Sequence, residues 1–246
     1  MPDLTLAVAQ SLPIPGDLGE SVRSHLRLAS LAAEHGARLV LFPELSLTGY
    51  NRGLTLTDAV ADSDPGLRPL QVLADTRNLL IVAGAPIALR DRLHIGALSF
   101  VPGSGVRTYL KEFLHEGEEV AFAPGPGGDA LTLEDEVVGM AICADITHPE
   151  HARAAANRGA TIYATSCFIT EPGYQADTDL LRQYAREHRM VVLMANYGAP
   201  SGGWGSAGRS AIWSESGELL ACAPSAGEAL IAARIASRQP HHSRIA

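Results

Sequence analysis

The stretch Glu136-Val-Val-Gly-Met-Ala-Ile-Cys143-Ala-Asp-Ile-Thr-His-Pro149-Glu150 sets the frame for the whole chain. Residues 137–142 are short, β-branched and apolar, which reads as a buried strand, and Pro149 suits the first turn of a helix. Cys143 stands where the strand gives way to that helix. A cysteine at such a turn has its sulfur at the sheet edge, where backbone N–H groups also point outward. Free cysteine is equally one of the most buried residue types, so taken alone the position also suits a packing thiol. The choice between the two rests on what the rest of the chain brings beside it.

Upstream, residues 4–10 are strand-like, and Asp17 opens a helix whose apolar positions Val22, Leu26, Ala29 and Ala33 recur at helical spacing until Gly36. Residues 39–42 form a second apolar strand, stopped by Pro43, with Glu44 next. Strand, helix, strand implies a right-handed crossover between parallel strands and puts Glu44 at the carboxyl end of the second. A helix over 66–77 and a buried strand over 79–83, closed by Gly84-Ala-Pro86, follow. Residues 93–101 and 106–111, joined by Pro102-Gly-Ser-Gly105, read as a hairpin that ends on Lys111. The long loop 112–128 carries Glu118, Glu119 and Phe122-Ala-Pro-Gly-Pro-Gly-Gly128, and a loop of that length suggests an active-site rim.

Downstream of Cys143 the pattern predicts a helix over 149–158, a strand over 160–165, a helix over 177–188 and a strand over 190–195. A Gly- and Ser-rich loop, 198–208, leads to a hairpin of 211–213 and 218–222 around Ser214-Glu-Ser-Gly217, a last strand over 228–235 and a tail, 236–246. Two βαβ halves with antiparallel additions predict two stacked mixed sheets covered by helices. At 246 residues, 46% hydrophobic and 19% charged, the chain suits one α/β domain over 1–246. A net charge of −8 with no basic run argues against a nucleic-acid or anionic-membrane partner. There is no basic, apolar leader and no apolar run near the roughly 20 residues of a membrane span. The odd set Cys143, Cys167 and Cys222 points to reduced thiols, hence a cytoplasmic protein.

Taken singly, Glu44 reads as a solvated or capping carboxylate, Lys111 as a surface cation and Cys143 as a core thiol. Together they stand differently, because all three directly follow apolar strands, where an α/β sheet places its ligand site. A carboxylate and an ammonium buried there must pair. The local words are Phe42-Pro-Glu44-Leu-Ser-Leu-Thr-Gly-Tyr50, Tyr109-Leu-Lys111 and Gly139-Met-Ala-Ile-Cys143-Ala-Asp145, with Ala195-Asn196-Tyr-Gly198 and Gly208-Arg-Ser210 further on. In order and spacing these resemble the nitrilase, or carbon–nitrogen hydrolase, superfamily over nearly the whole chain.

The resemblance implies a four-layer αββα sandwich and a Glu44–Lys111–Cys143 triad. It also implies a second glutamate four residues before the Phe of Phe122-Ala-Pro-Gly125, which selects Glu118, with Glu119 in reserve. The Ala144 N–H is expected at the oxyanion, and Tyr50, Thr147, His148, Cys167 and Asn196 on the substrate side, while Asp145 reads as a cap for the helix that follows. No metal or cofactor is expected, because the histidines, His241 and His242 included, lack ligand spacing. Self-association as a homodimer or higher oligomer is a further implication.

The implied activity is hydrolysis of a small linear amide or N-carbamoyl compound through a cysteine thioester. The alternatives are attack on a nitrile carbon and a catalytically silent binding subunit. Three positions depart from relatives. Ala144 stands where a bulky aromatic often follows the nucleophile. Thr147 stands where relatives acting on carboxylate-bearing amides carry Arg, and His148 replaces an aromatic.

Overall fold

Strict alternation along the strands divides their side chains between two environments, and that division builds the layers. In the computed structural model, which describes residues 3–236, strand β1 (Leu4–Gln10) sends Leu4, Leu6 and Val8 into a central core and Ala7 and Ala9 to its other face. Strand β2 (Ala37–Leu41) does the same, with Leu39 and Leu41 inward and Val40 outward. The outward set packs on helix α1 (Leu18–Glu34), through Val22, Leu28, Ala29 and Ala32, and on helix α2 (Arg68–Arg77), through Leu70 and Ala74. Asp17 caps α1 by accepting the Glu20 N–H at 2.8 Å.

Strands β3 (Leu80–Leu89), β4 (Arg92–Val101) and β5 (Gly105–Leu110) extend the first sheet. The second half comprises β6 (Leu131–Leu133), β7 (Glu136–Ile142), helix α3 (Pro149–Asn157), β8 (Ile162–Ser166), helix α4 (Glu171–His188), β9 (Val191–Ala195), β10 (Ala211–Trp213) and β11 (Leu219–Cys222). The chain then returns to the first sheet as β12 (Ala229–Ile235). Among the described residues the strands form two six-stranded sheets, β12-β1-β2-β3-β4-β5 and β11-β10-β9-β8-β7-β6. In each, three parallel strands, β1-β2-β3 or β7-β8-β9, are flanked by antiparallel ones. Val138, Met140 and Ile142 of β7 meet the first sheet in the central core, while Tyr163, Val192 and Met194 face α3 and α4. The result is the expected four-layer αββα sandwich, and no described helix is long and apolar enough to cross a membrane.

Three expectations change. Strand β3 does not close at Gly84-Ala-Pro86 but runs to Leu89, because β4 pairs with it from Ile81 to Leu89 although β2 does so only as far as Val82. Beyond Val82 no described strand pairs with its other edge, so Pro86 forfeits no ladder bond there, and the Gly84 and Pro86 carbonyls accept the Leu47 and Val60 N–H groups. Helix α4 starts at Glu171, six residues before 177, since Pro172 falls in the first turn, where its missing N–H costs nothing. The three-residue β6, which pairs with β7, is an addition to the expected strands, too short to leave a periodic signal. The tail 237–246, with His241 and His242, lies outside the described residues.

Candidate active site

Glu44 and Cys143 follow the equivalent strands β2 and β7, one in each sheet, and both turns are strained. Leu45 and Cys143 have φ of 52° and 43°, left-handed values that side chains adopt only where the surroundings enforce them. The Glu44 turn is enforced by Gly84, where a Cβ would stand 2.2 Å from the Leu45 nitrogen and 2.5 Å from the Pro43 oxygen. Only glycine lets the chain pass so close. Ser46 Oγ accepts the Gly84 N–H at 3.0 Å and meets His25 Nε2 at 2.9 Å, and Ser166 Oγ at the end of β8 donates to the Phe42 carbonyl at 2.8 Å. The second sheet thereby holds the end of the first. Burial lowers the His25 pKa to about 4, so this brace is neutral at ordinary pH.

Lys111 follows β5, its N–H bonded to the Ile95 carbonyl at 2.8 Å. Its ammonium is 0% exposed and reaches Glu44 Oε1 at 2.7 Å and both oxygens of Glu118, at 3.0 and 2.8 Å. Glu118 opens a tight turn after Gly117, and Tyr50 Oη and the His115 N–H also donate to it, at 3.0 and 2.8 Å. The structure therefore brings together Glu44, Lys111, Cys143, Glu118 and Tyr50. Glu119 faces solvent and accepts the Gly117 N–H.

Burial, together with the excess negative charge of two carboxylates around one ammonium, sets the protonation states. Burial raises the Glu44 pKa to about 7; Lys111 opposes the rise and Glu118 adds to it. For Lys111 burial works against the charge, but Glu44, Cys143 and Glu118 outweigh it, so the group stays a cation. Burial pushes the Cys143 thiol well above the usual cysteine range, Glu44 pushes the same way, and Lys111 opposes them. These effects favour the neutral thiol of Cys143. Glu44 Oε2 is buried without a hydrogen-bond partner of normal geometry, and Cys143 is the neighbouring thiol whose approach lowers its proton affinity. Both oxygens of Glu118 are engaged, so this one is left as the unpartnered carboxylate oxygen of the cluster.

Asp145 does more than cap a helix. It is fully buried, with Oδ2 accepting the Ile142 N–H at 2.9 Å and Tyr109 Oη at 2.8 Å, and Oδ1 accepting the Glu112 and Phe113 N–H groups at 3.0 and 2.9 Å. One carboxylate thus ties the residue before Cys143 to residues on both sides of Lys111, across the two sheets. Helix α3 is instead preceded by His148, which gives no side-chain cap. The sequence signal was available: an Asp two residues after a nucleophile has no solvent reason to follow a buried strand.

A cavity of about 150 Å³ opens onto Cys143, walled by Glu44, Tyr50, Glu118, Phe168, Ile169 and Thr170, with Arg52, His115, Gly173, Asp177 and Trp204 at its mouth. Several substrate-side expectations are corrected here. Thr147 Oγ1 and His148 Nδ1 both turn to the Ala144 carbonyl, at 2.8 and 3.0 Å, and His148 stacks on Phe113; neither lines the cavity. Cys167 is fully buried in the core beneath α3 and α4. Asn196 acts from behind, its side chain bonding both the N–H and the carbonyl of Ile169, at 2.9 and 3.0 Å. Ala144 is the second residue of the turn Cys143–Thr147, whose first N–H groups have no partner within the turn. The mouth residues Arg52, His115 and Asp177 went unread, because they sit in loops and on a helix face with no periodic or motif signal.

Residues 5–239 match the family described as carbon–nitrogen hydrolase. The chain belongs to that family and is an enzyme of the carbon–nitrogen hydrolase class. A nitrilase from Pyrococcus abyssi is 29% identical over 85% of this chain and 80% of its own. A glutamine-dependent NAD(+) synthetase from Mycobacterium bovis is 31% identical over 84% of this chain but only 35% of its own length. Among solved structures, a mutant amidase from Nesterenkonia sp. AN1 in complex with butyramide superposes with a TM-score of 0.85 at 25% identity, covering 94% of this chain and 90% of that one.

Proposed function

We propose that the chain, acting as one domain, hydrolyses the C–N bond of a small linear amide through a thioester on Cys143. The observation that carries this reading is the unpartnered oxygen of Glu44 beside a neutral Cys143 thiol at the floor of a small cavity. A preformed thiolate is disfavoured there, so proton transfer to Glu44 accompanies attack of sulfur on the amide carbonyl. Lys111 keeps its proton and, with the Ala144 N–H, stabilises the oxyanion as a fixed positive charge in a water-poor site. Glu44 then protonates the departing nitrogen, the C–N bond breaks, and ammonia or an amine leaves. Water enters, gives a proton to Glu44 and its hydroxide to the acyl carbon, and the carboxylic acid leaves as the thiol is restored. Glu118 holds Lys111 in register and accepts from Tyr50.

That a mutant of a structural neighbour is in complex with butyramide supports a short acyl chain as the starting probe. Intact-protein mass spectrometry during turnover of a panel of amides, N-carbamoyl compounds and nitriles tests the reading. An acyl adduct on Cys143 with ammonia release from amides is expected. A Cys143→Ala enzyme that turned over its best amide at near wild-type rate would sink the mechanism.

A further inference from the structure

Two opposite charges, Arg52 and Asp177, stand at the mouth of the cavity, outside the Glu44–Lys111–Cys143 set. The Arg52 guanidinium is held on three sides: Nε donates to Tyr50 Oη at 3.0 Å, the group lies 5.0 Å from the centre of the Trp204 ring, and Nη2 stands 3.4 Å from His115 Nδ1. Glu118 and Glu119 act on it electrostatically, but among the described residues no carboxylate forms a salt bridge with it, so it keeps N–H groups open to a ligand anion. An arginine fixed in this way is preorganised for a carboxylate.

Asp177, in the second turn of α4, also lines the mouth. It makes no hydrogen bond or salt bridge among the described residues, and His115 is the group that acts on it electrostatically. Its burial disfavours the charge, which raises its pKa. A half-buried carboxylate without a partner is unfavourable unless a ligand supplies the cation. Between the two charges and Cys143 the walls are Phe168, Ile169 and Tyr50, which suit a short methylene chain.

We infer that this cavity selects an amide carrying both a carboxylate and an ammonium at the end away from the reacting carbonyl, the side-chain amide of a small α-amino acid, with Arg52 receiving the carboxylate and Asp177 the ammonium. The inference rests on the amide-hydrolase reading of the same site.

The test is a comparison of kcat/KM for L-asparagine and L-glutamine with three amides that each lack a charge: glutaramic acid without the ammonium, 4-aminobutanamide without the carboxylate, and butyramide without either. The better of the two amino acids is expected to exceed butyramide by at least about tenfold for each charge, the scale of a charge-assisted contact. Arg52→Gln should lower the ratio of amino acid to 4-aminobutanamide about tenfold, and Asp177→Asn should lower the ratio of amino acid to glutaramic acid by a similar factor. Wild-type enzyme gives a check without variants: the product amino acid, L-aspartate or L-glutamate, should inhibit butyramide hydrolysis more strongly than glutarate or 4-aminobutyrate. Butyramide turned over as well as either amino acid, or ratios unmoved by both substitutions, overturns the inference and leaves the hydrolase reading standing. No turnover of any amide, with no adduct on Cys143, overturns both.

Discussion

Replacing Glu118 by Gln should move the acid limb of the pH–rate profile downward, by an amount the geometry sets. In the wild-type enzyme kcat/KM requires ionised Glu44, so activity rises with pH through the Glu44 pKa of about 7. Glu44 Oε1 and Glu118 Oε2 lie 2.7 and 2.8 Å from the same ammonium. They are therefore at most about 5.5 Å apart, a separation at which two negative charges repel by about 3 kcal/mol at an effective dielectric of about 20. Removing one of them stabilises ionised Glu44 by that order, about 2 pH units. Glu118→Gln should carry the acid midpoint from near 7 to near 5. Its maximal rate should also fall, because Lys111 loses an ionic partner and Tyr50 an anionic acceptor. The assay is ammonia release from one amide between pH 4 and 9, with stability checked at both ends. An acid midpoint that stays near 7 or moves upward would refute the assignment of Glu44 as the titrating base, whatever the loss of rate.

Three further outcomes are expected. Gly84→Ala should fold yet lose about a hundredfold in kcat, because the new Cβ, 2.2 Å from the Leu45 nitrogen, displaces the Glu44 turn by a fraction of an ångström or more; a near wild-type rate would argue against the need for that close approach. Asp145→Asn should lower kcat at least about tenfold with a smaller change in KM, and lower the melting temperature, since an amide NH2 faces buried N–H donors that each cost about 1–3 kcal/mol unpaired. Unchanged kcat would reduce Asp145 to a structural tie between the sheets. Glu44→Gln should gain stability relative to wild type as pH rises from 5 to 8. The folded pKa is raised from 4.5 to about 7, so the native state holds a proton that the unfolded state releases, and wild-type stability falls through that window by on the order of 2–3 kcal/mol. Denaturant midpoints at the two pH values measure it, and a difference that did not grow with pH would contradict the raised pKa.

The strands were legible because both faces of each sheet are covered, so β9 and residues 137–142 of β7 are apolar throughout, and β1 and β2 are mostly so, interrupted only by Thr5, Gln10 and Arg38. The cluster of Glu44, Lys111 and Cys143 was legible for the same reason: a polar residue at the end of a buried run has to be satisfied by another of its kind. Glu118 needed the Phe122 motif, since nothing in the composition of residues 112–128 separates it from Glu119. What decides between them is Gly117, whose left-handed φ of 86° turns the first glutamate inward and the second to solvent. Asp145, Asn196 and His25 were misread or unread because their partners lie 32, 27 and 21 residues away. Side-chain bonds of that span leave no local pattern. The mouth was illegible for a different reason, as Arg52 and Asp177 are ordinary surface types until the fold sets them around one opening.

The charge count of the buried cluster also governs how the nucleophile behaves before substrate arrives. Lys111 is engaged by two carboxylates, so little of its field is left to lower the thiol pKa, and Glu44 raises it further. Thiolate is the species that attacks disulfides and is oxidised, so a neutral Cys143 should be slow with both. Exposed Cys222 then sets the expected order of labelling: an aromatic disulfide at pH 7 should modify Cys222 first, with Cys143 following more slowly and Cys167, fully buried, last. Peptide mapping over time reads this directly. Preferential labelling of Cys143 at pH 7 would mean a thiolate at rest, and the mechanism would then need a cation at the sulfur that the pairing of Lys111 does not leave available. Slow labelling would place the activation of the thiol in the encounter with substrate, where attack on the carbonyl moves negative charge from sulfur to the oxyanion beside Lys111 and lets Glu44 take the proton in the same step.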